Sequence, residues 1–149
     1  MIVMSKFRWE GKDTVAEEEF AKLYPSAEKA VTAATLYFEG AVKRKLSGAR
    51  TGRIYRIGRR GKVHQASAPG EAPASLTGKL RQSITHSIQW MGDNVFGEVG
   101  TSVPYAAILE YGGVSWNGGR ILPRPYMAST YLEEAEAIDA ILEGATKTK

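Results

Sequence analysis

The sequence predicts an α+β domain in which two long amphipathic helices pack on a small antiparallel β-sheet and a long basic loop projects from the body. Three observations lead there. Apolar residues recur at spacings of three and four in two stretches near opposite ends of the chain. Between them, strict apolar/polar alternation runs from Ile84 to Met91 and is followed by the turn residues Gly92-Asp93-Asn94. A glycine-broken, arginine-rich segment separates the first helical pattern from the strands.

Taken in order, residues 1–25 mix charges with a few apolar groups and include the acidic run Glu17-Glu18-Glu19, which reads as a loosely attached N-terminal arm. Ser26 after Pro25 suits a helix N-cap, and Ala27, Ala30, Val31, Ala34, Phe38, Ala41 and Val42 form the buried stripe of a first helix ending near Ser47-Gly48. Glycines at 48, 52, 58, 61 and 70, with Pro69 and Pro73, exclude a continuous helix over residues 48–75. That segment reads as a projecting loop or hairpin, with a short strand possible over Arg53–Ile57. Holding it in one conformation costs on the order of 1 kcal/mol per residue, so residues 48–73 are expected to be mobile until a partner orders them.

Leu76–Gln82 fits a helical turn feeding a strand whose apolar face is Ile84, His86, Ile88 and Trp90. Val95-Phe96-Gly97-Glu98-Val99 returns antiparallel as the second strand of a hairpin. Pro104–Tyr111 is a short helix stopped by Gly112-Gly113, followed by a glycine-rich turn around Trp116. Pro125 opens a last helix with Ala128, Leu132, Ala135, Ile138 and Leu142 as its apolar stripe, Gly144 as its stop and a polar tail beyond. The whole, residues 1–149, is read as one domain.

Composition narrows the function classes. With 43% hydrophobic and 24% charged residues the chain is ordinary globular protein. It contains no cysteine, which rules out disulfides, thiolate metal sites and a cysteine nucleophile. No apolar run approaches the roughly 20 residues that span a bilayer, so a soluble protein with no membrane partner is expected. The two histidines, His64 and His86, have no acid or second histidine at helical or strand spacing. His86 is read as a core residue and His64 as a polar contact in the basic loop. Glu133, Glu134, Glu136 and Asp139 are read as the solvated face of the last helix. No phosphate loop and no hydrolase elbow is present: the Gly112–Gly119 run lacks the lysine and hydroxyl residue, and Gly-x-Ser-x-Gly is absent. The expectation is a protein that is not an enzyme and takes no cofactor or metal.

The outstanding signal is charge. Residues 40–70 hold nine bases and no acid, while residues 1–39 have five bases against seven acids and residues 71–149 six against nine. The nine are Lys43, Arg44, Lys45, Arg50, Arg53, Arg56, Arg59, Arg60 and Lys62, and a single-sign block on a projecting loop calls for an anionic partner. That partner is either DNA, contacted through phosphate without sequence preference, or an acidic protein neighbour.

Residues His64-Gln65-Ala66-Ser67-Ala68-Pro69-Gly70-Glu71-Ala72-Pro73-Ala74 and Thr77-Gly78-Lys79-Leu80-Arg81-Gln82-Ser83-Ile84 resemble the central signature of the phage tail-completion family, related to minor tail protein Z of lambda-like phages. Its pattern joins Ser-x-Pro-Gly-x-x-Pro to Thr-Gly-x-Leu-x-x-Ser-Ile. In order after it, Pro104-Tyr105-Ala106-Ala107-Ile108-Leu109-Glu110-Tyr111-Gly112 resembles the family's Tyr-Ala-x-x-x-Glu-x-Gly, and Pro123-Arg124-Pro125-Tyr126 resembles its Arg-Pro-Phe. Tyr126 stands where the family more often has phenylalanine. The resemblance covers roughly residues 48 to 142 and implies helices on a small sheet, assembly into a homo-oligomeric ring, and a place at the virion neck after assembly in the host cytoplasm. Sixfold tail symmetry implies a hexamer, with a dodecamer the alternative. The implied neighbours are connector or adaptor proteins and a tail terminator or tail tube, with packaged DNA as a further partner. Pro69, Gly70 and Pro73 are expected to stiffen the return of the loop and Thr77 to cap the short helix. Tyr105 and Glu110 are expected to pin the sheet to a neighbour, so that alanine at both weakens ring assembly more than folding.

Overall fold

The computed structural model describes the backbone of residues 2–9 and 17–144, with side chains from Ser26 to Gly144. The fold is α+β. Its centre is a three-stranded antiparallel sheet in the order β1-β5-β4, made of β1 (Ile2–Trp9), β4 (Thr85–Met91) and β5 (Asn94–Thr101). Strands β4 and β5 form the expected hairpin, Met91 facing Asn94 across Gly92-Asp93. Helix α1 (Glu17–Ser47) lies against this sheet, and α4 (Met127–Gly144) packs on α1 and touches β1. Two ribbons complete the fold: β2 (Ile54–Ile57) with β3 (Lys62–Gln65), and β6 (Gly113–Val114) with β7 (Arg120–Ile121). The short helices α2 (Lys79–Ser83) and α3 (Ala106–Tyr111) lead into β4 and β6.

The N-terminal arm is corrected by this arrangement. Ile2–Trp9 pairs with β5 as an edge strand, and α1 begins at Glu17 and runs through Pro25. The strand escaped notice because its register slips between Val3 and Ser5, which breaks the period-two pattern that would announce it. Pro25 reads as a boundary because proline lacks an amide proton, yet its fixed φ is compatible with helix. The expected polar tail after Gly144 lies outside the described residues.

Burial follows the predicted phase of α1. Ala27, Ala30, Val31, Ala34, Phe38, Ala41 and Val42 are all buried, and Phe38, Val42 and Leu46 join Leu80, Ile84, Val99, Val103, Ala106, Tyr126, Met127 and Ile138 in the main core. Helix and sheet approach closely at one point. A side chain on Gly97 of β5 would place its Cβ 1.9 Å from Thr35 Oγ1 and 2.9 Å from Val31 Cγ1, so glycine sets the spacing there. Thr35 stays satisfied at zero exposure by donating to the Val31 carbonyl at 2.6 Å.

The apolar stripe expected on α4 is rotated. Met127, Thr130 and Ile138 are buried, Ile141 and Leu142 are partly buried, while Ala128 is exposed and Leu132 is 77% exposed. The turn of phase comes from Thr130, a polar residue that enters the core because its hydroxyl donates to the Tyr126 carbonyl at 2.6 Å. His86 is corrected as well. It is 35% exposed at its side chain, and Nδ1 pairs with the carboxylate of Glu39, which also takes Lys43.

Candidate functional site: the basic hairpin and its base

The nine cations divide into two groups. Lys43 pairs with Glu39 one turn earlier, and Lys45 reaches across to Glu133 at 2.5 Å. Arg44 lies over the Tyr37 ring, 5.8 Å from its centroid, and the Tyr37 hydroxyl donates to Glu134 Oε2 at 2.5 Å. Glu133 and Glu134 therefore clasp α4 to α1 and are not simply a solvated face. Hydrogen bonding to Glu134, followed by burial, pushes the Tyr37 phenol above its ordinary range. Arg50 folds inward: Nη1 donates to the carbonyls of Gly48 and Ala49, Nη2 to those of Lys45 and Pro73, and Nε to Pro73.

Arg53, Arg56, Arg59, Arg60 and Lys62 are different. All five are exposed on or beside the β2–β3 ribbon, whose tip is Gly58-Arg59-Arg60-Gly61, and none makes an ion pair among the described residues. The ladder runs Ile54 opposite Gln65, Tyr55 opposite His64, Arg56 opposite Val63 and Ile57 opposite Lys62. Residues facing one another across an antiparallel pair point to the same side, so Ile54, Arg56 and Val63 share one face and Tyr55, His64 and Lys62 the other. On that second face the Tyr55 and His64 rings lie 5.8 Å apart at 53°. The predicted loop is thus a formed hairpin.

Its base is held by more contacts than the glycine content suggested. Gly52 N and Ala66 N donate to Ala66 O and Arg53 O at 3.1 and 3.0 Å, extending the ladder. Glu71 accepts from the Thr51 hydroxyl, from Thr51 N at 3.1 Å and from Ala68 N at 2.8 Å. These donors, the Thr51 hydroxyl first, hold its carboxyl below the ordinary carboxylate range. Pro69 and Gly70 are the central residues of a turn closed by Glu71 N donating to Ala68 O at 3.1 Å. Gly70 takes φ +83°, the value that position i+2 of a type II turn requires. Pro73 is buried and gives its carbonyl to Arg50.

Two of the expected roles change, those of Thr77 and Glu110. Thr77 is not the cap of α2: Gly78 holds the N-cap position, and the Thr77 hydroxyl accepts only a 3.3 Å bond from Lys79 N. Tyr105 occupies the N-cap of α3 at 41% exposure without a capping bond from its side chain. Glu110, 3% exposed, accepts from Tyr126 N at 2.8 Å and Met127 N at 3.0 Å through Oε2 and from Ala128 N at 2.9 Å through Oε1. It closes the first turn of α4 from the preceding helix and is not available to pin a neighbour. The sequence signal for this was Glu110 lying ahead of Pro125, but a cap supplied from a different helix has no local spacing to read.

Tyr126, whose amide is one of those three donors, has zero exposure, and its hydroxyl has no hydrogen-bond partner among the described residues. Burial, then the charge of Glu110, drives its phenol far above the ordinary value. Among the described residues no group of three histidine, aspartate or glutamate side chains is placed to hold a metal ion, and no helix is long and apolar enough to cross a membrane. No family model, curated protein or solved structure matches the chain.

Proposed function

We propose that this chain is a structural subunit of a tailed-phage virion, a tail-completion or head-tail joining protein that works as one copy in a ring at the neck. What supports the reading is the run of four motif pieces in family order, which fall on the hairpin base, helix α2, helix α3 and the entry to α4. They build the joint from which a five-cation hairpin projects. The body supplies rigidity and the hairpin supplies contact. Electron cryo-microscopy of the intact neck is the test. A ring of this chain between connector and tail tube is the expected result, and absence from purified particles would overturn the role.

A second reading, a DNA-binding module without sequence preference, is favoured by the same five exposed cations. If about five phosphates are neutralised per copy, log affinity falls against log salt with a slope of roughly −4 to −5. A joining protein binds connector or tube proteins whether or not DNA is present, and a DNA module does not.

A further inference from the structure

Two uncovered surfaces of this chain complement one another. On the hairpin, Ile54 and Val63 are 61% and 62% exposed, and they share a face with Arg56. Arg59 and Arg60 stand beside this face at the tip of the same ribbon, while Lys62 belongs to its other face. On α4, Leu132, Glu136 and Asp139 follow one another at spacings of four and three, which places them on one side of the helix. Leu132 is 77% exposed, and Glu136 and Asp139 are exposed and make no ion pair among the described residues, whereas Glu133 is taken by Lys45 and Glu134 by Tyr37. Each surface therefore has an aliphatic centre with charge of one sign around it. They do not answer one another within one copy, since among the described residues no ion pair joins a hairpin cation to Glu136 or Asp139.

We propose that the hairpin of one copy docks on the outer face of α4 of the next copy, Ile54 and Val63 against Leu132 and the arginines against Glu136 and Asp139. This rests on the ring-forming reading above and names its contact. A phosphate backbone would use the arginines and leave two β-branched side chains in water, while a protein interface places an apolar centre inside a charged rim. Hairpin and helix are different patches, so the contact is heterologous and propagates head to tail, which closes a ring when the rotation permits.

Sedimentation velocity on the purified full chain tests it with two charge-reversed variants. One carries Arg56→Glu, Arg59→Glu and Arg60→Glu, the other Glu136→Lys and Asp139→Lys, all at exposed positions, with thermal melts reporting that each folds. The wild-type chain is expected to self-associate less as salt rises, and each variant alone to associate at least about tenfold more weakly. An equimolar mixture is expected to regain association, because the acidic hairpin of the first meets the basic helix of the second and the native contact forms in the other direction. A wild-type chain that stays monomeric, variants that associate like wild type, or a mixture that regains nothing would each overturn the interface. So would a hairpin variant that loses duplex-DNA binding and keeps self-association. The two proposals fail separately. A chain present in the neck whose mixed variants do not reassociate keeps the joining role and loses this contact, and a chain absent from the neck whose mixture reassociates does the reverse.

Discussion

Replacing Glu110 with alanine removes the acceptor for three backbone amides at the start of α4 in one step. Two of them, on Tyr126 and Met127, are buried, and water cannot replace the carboxylate there. The third, from the exposed Ala128, is only partly buried. An orphaned buried donor costs about 1–3 kcal/mol, so the two buried amides set a loss of roughly 2–6 kcal/mol, while losing the buried carboxylate relieves its own desolvation and moves the value toward the middle. A loss of about 3 kcal/mol in a domain of this size lowers the melting temperature by roughly 6–12 °C. Set against a total stability of about 5–15 kcal/mol, the variant still folds.

Urea unfolding followed by circular dichroism is the assay. The midpoint is expected to fall with the slope unchanged, since the surface exposed on unfolding is the same. Glu110→Gln keeps one carbonyl acceptor but turns an amide toward the remaining donors, so it is expected to fall between wild type and alanine. An alanine variant within about 1 kcal/mol of wild type, the worth of one ordinary hydrogen bond, would refute the claim that this carboxylate holds the entry to α4. It would return Glu110 to the role expected from the sequence, a contact to a neighbouring subunit.

The Tyr126 hydroxyl is buried without a partner among the described residues, so Tyr126→Phe is expected to raise stability by about 1 kcal/mol, seen as a higher melting temperature. Gly97→Ala is expected to destabilise by about 1–3 kcal/mol through overpacking of α1 on the sheet, because its Cβ has no room beside Thr35. Glu39 and Glu71 govern the acid limb. Burial raises the Glu39 carboxyl, but the hydrogen bonds and charges of Lys43 and His86 outweigh that, and both carboxyls lie below their ordinary value of 4.5. A carboxyl depressed in the folded state contributes stability above its unfolded value and loses it as pH falls through the folded one. Melting temperature is therefore expected to decline below pH 4.5, less steeply in Glu71→Gln, and an unchanged decline in that variant would remove Glu71 from the account.

How much of this was legible depends on whether the cause is local. The stripe of α1 and the β4–β5 hairpin are, because side-chain period and turn chemistry act over a few residues, and Ala27 to Val42 and Met91 to Asn94 carry both. The edge strand Ile2–Trp9 is not, since its partner lies about ninety residues away and its register slips. The face of α4 is not legible either, since Thr130 is polar by type and only the Tyr126 carbonyl one turn back makes it a core residue. His86 differs for the opposite reason: alternation places it on the apolar face, but Glu39 of α1 gives its ring a charged partner at the sheet margin.

The basic block shows where sequence reading stops on function. Nine cations in twenty residues form one signal in the chain, yet the fold gives them two tasks. Lys43, Lys45 and Arg50 find carboxylates or carbonyls in the body, and Arg44 lies over the Tyr37 ring. Lys45 braces α1 against α4 and Arg50 ties the end of α1 to the hairpin base, while Lys43 and Arg44 find their partners within α1. Removing them is a stability experiment. Arg53, Arg56, Arg59, Arg60 and Lys62 have no such partners among the described residues, and their exposure on a ribbon fixed at its base by Arg50 and Glu71 means that reversing them perturbs contact and leaves the core alone. A partner assay on the whole block would confound the two effects, and the same assay confined to the five hairpin residues separates them.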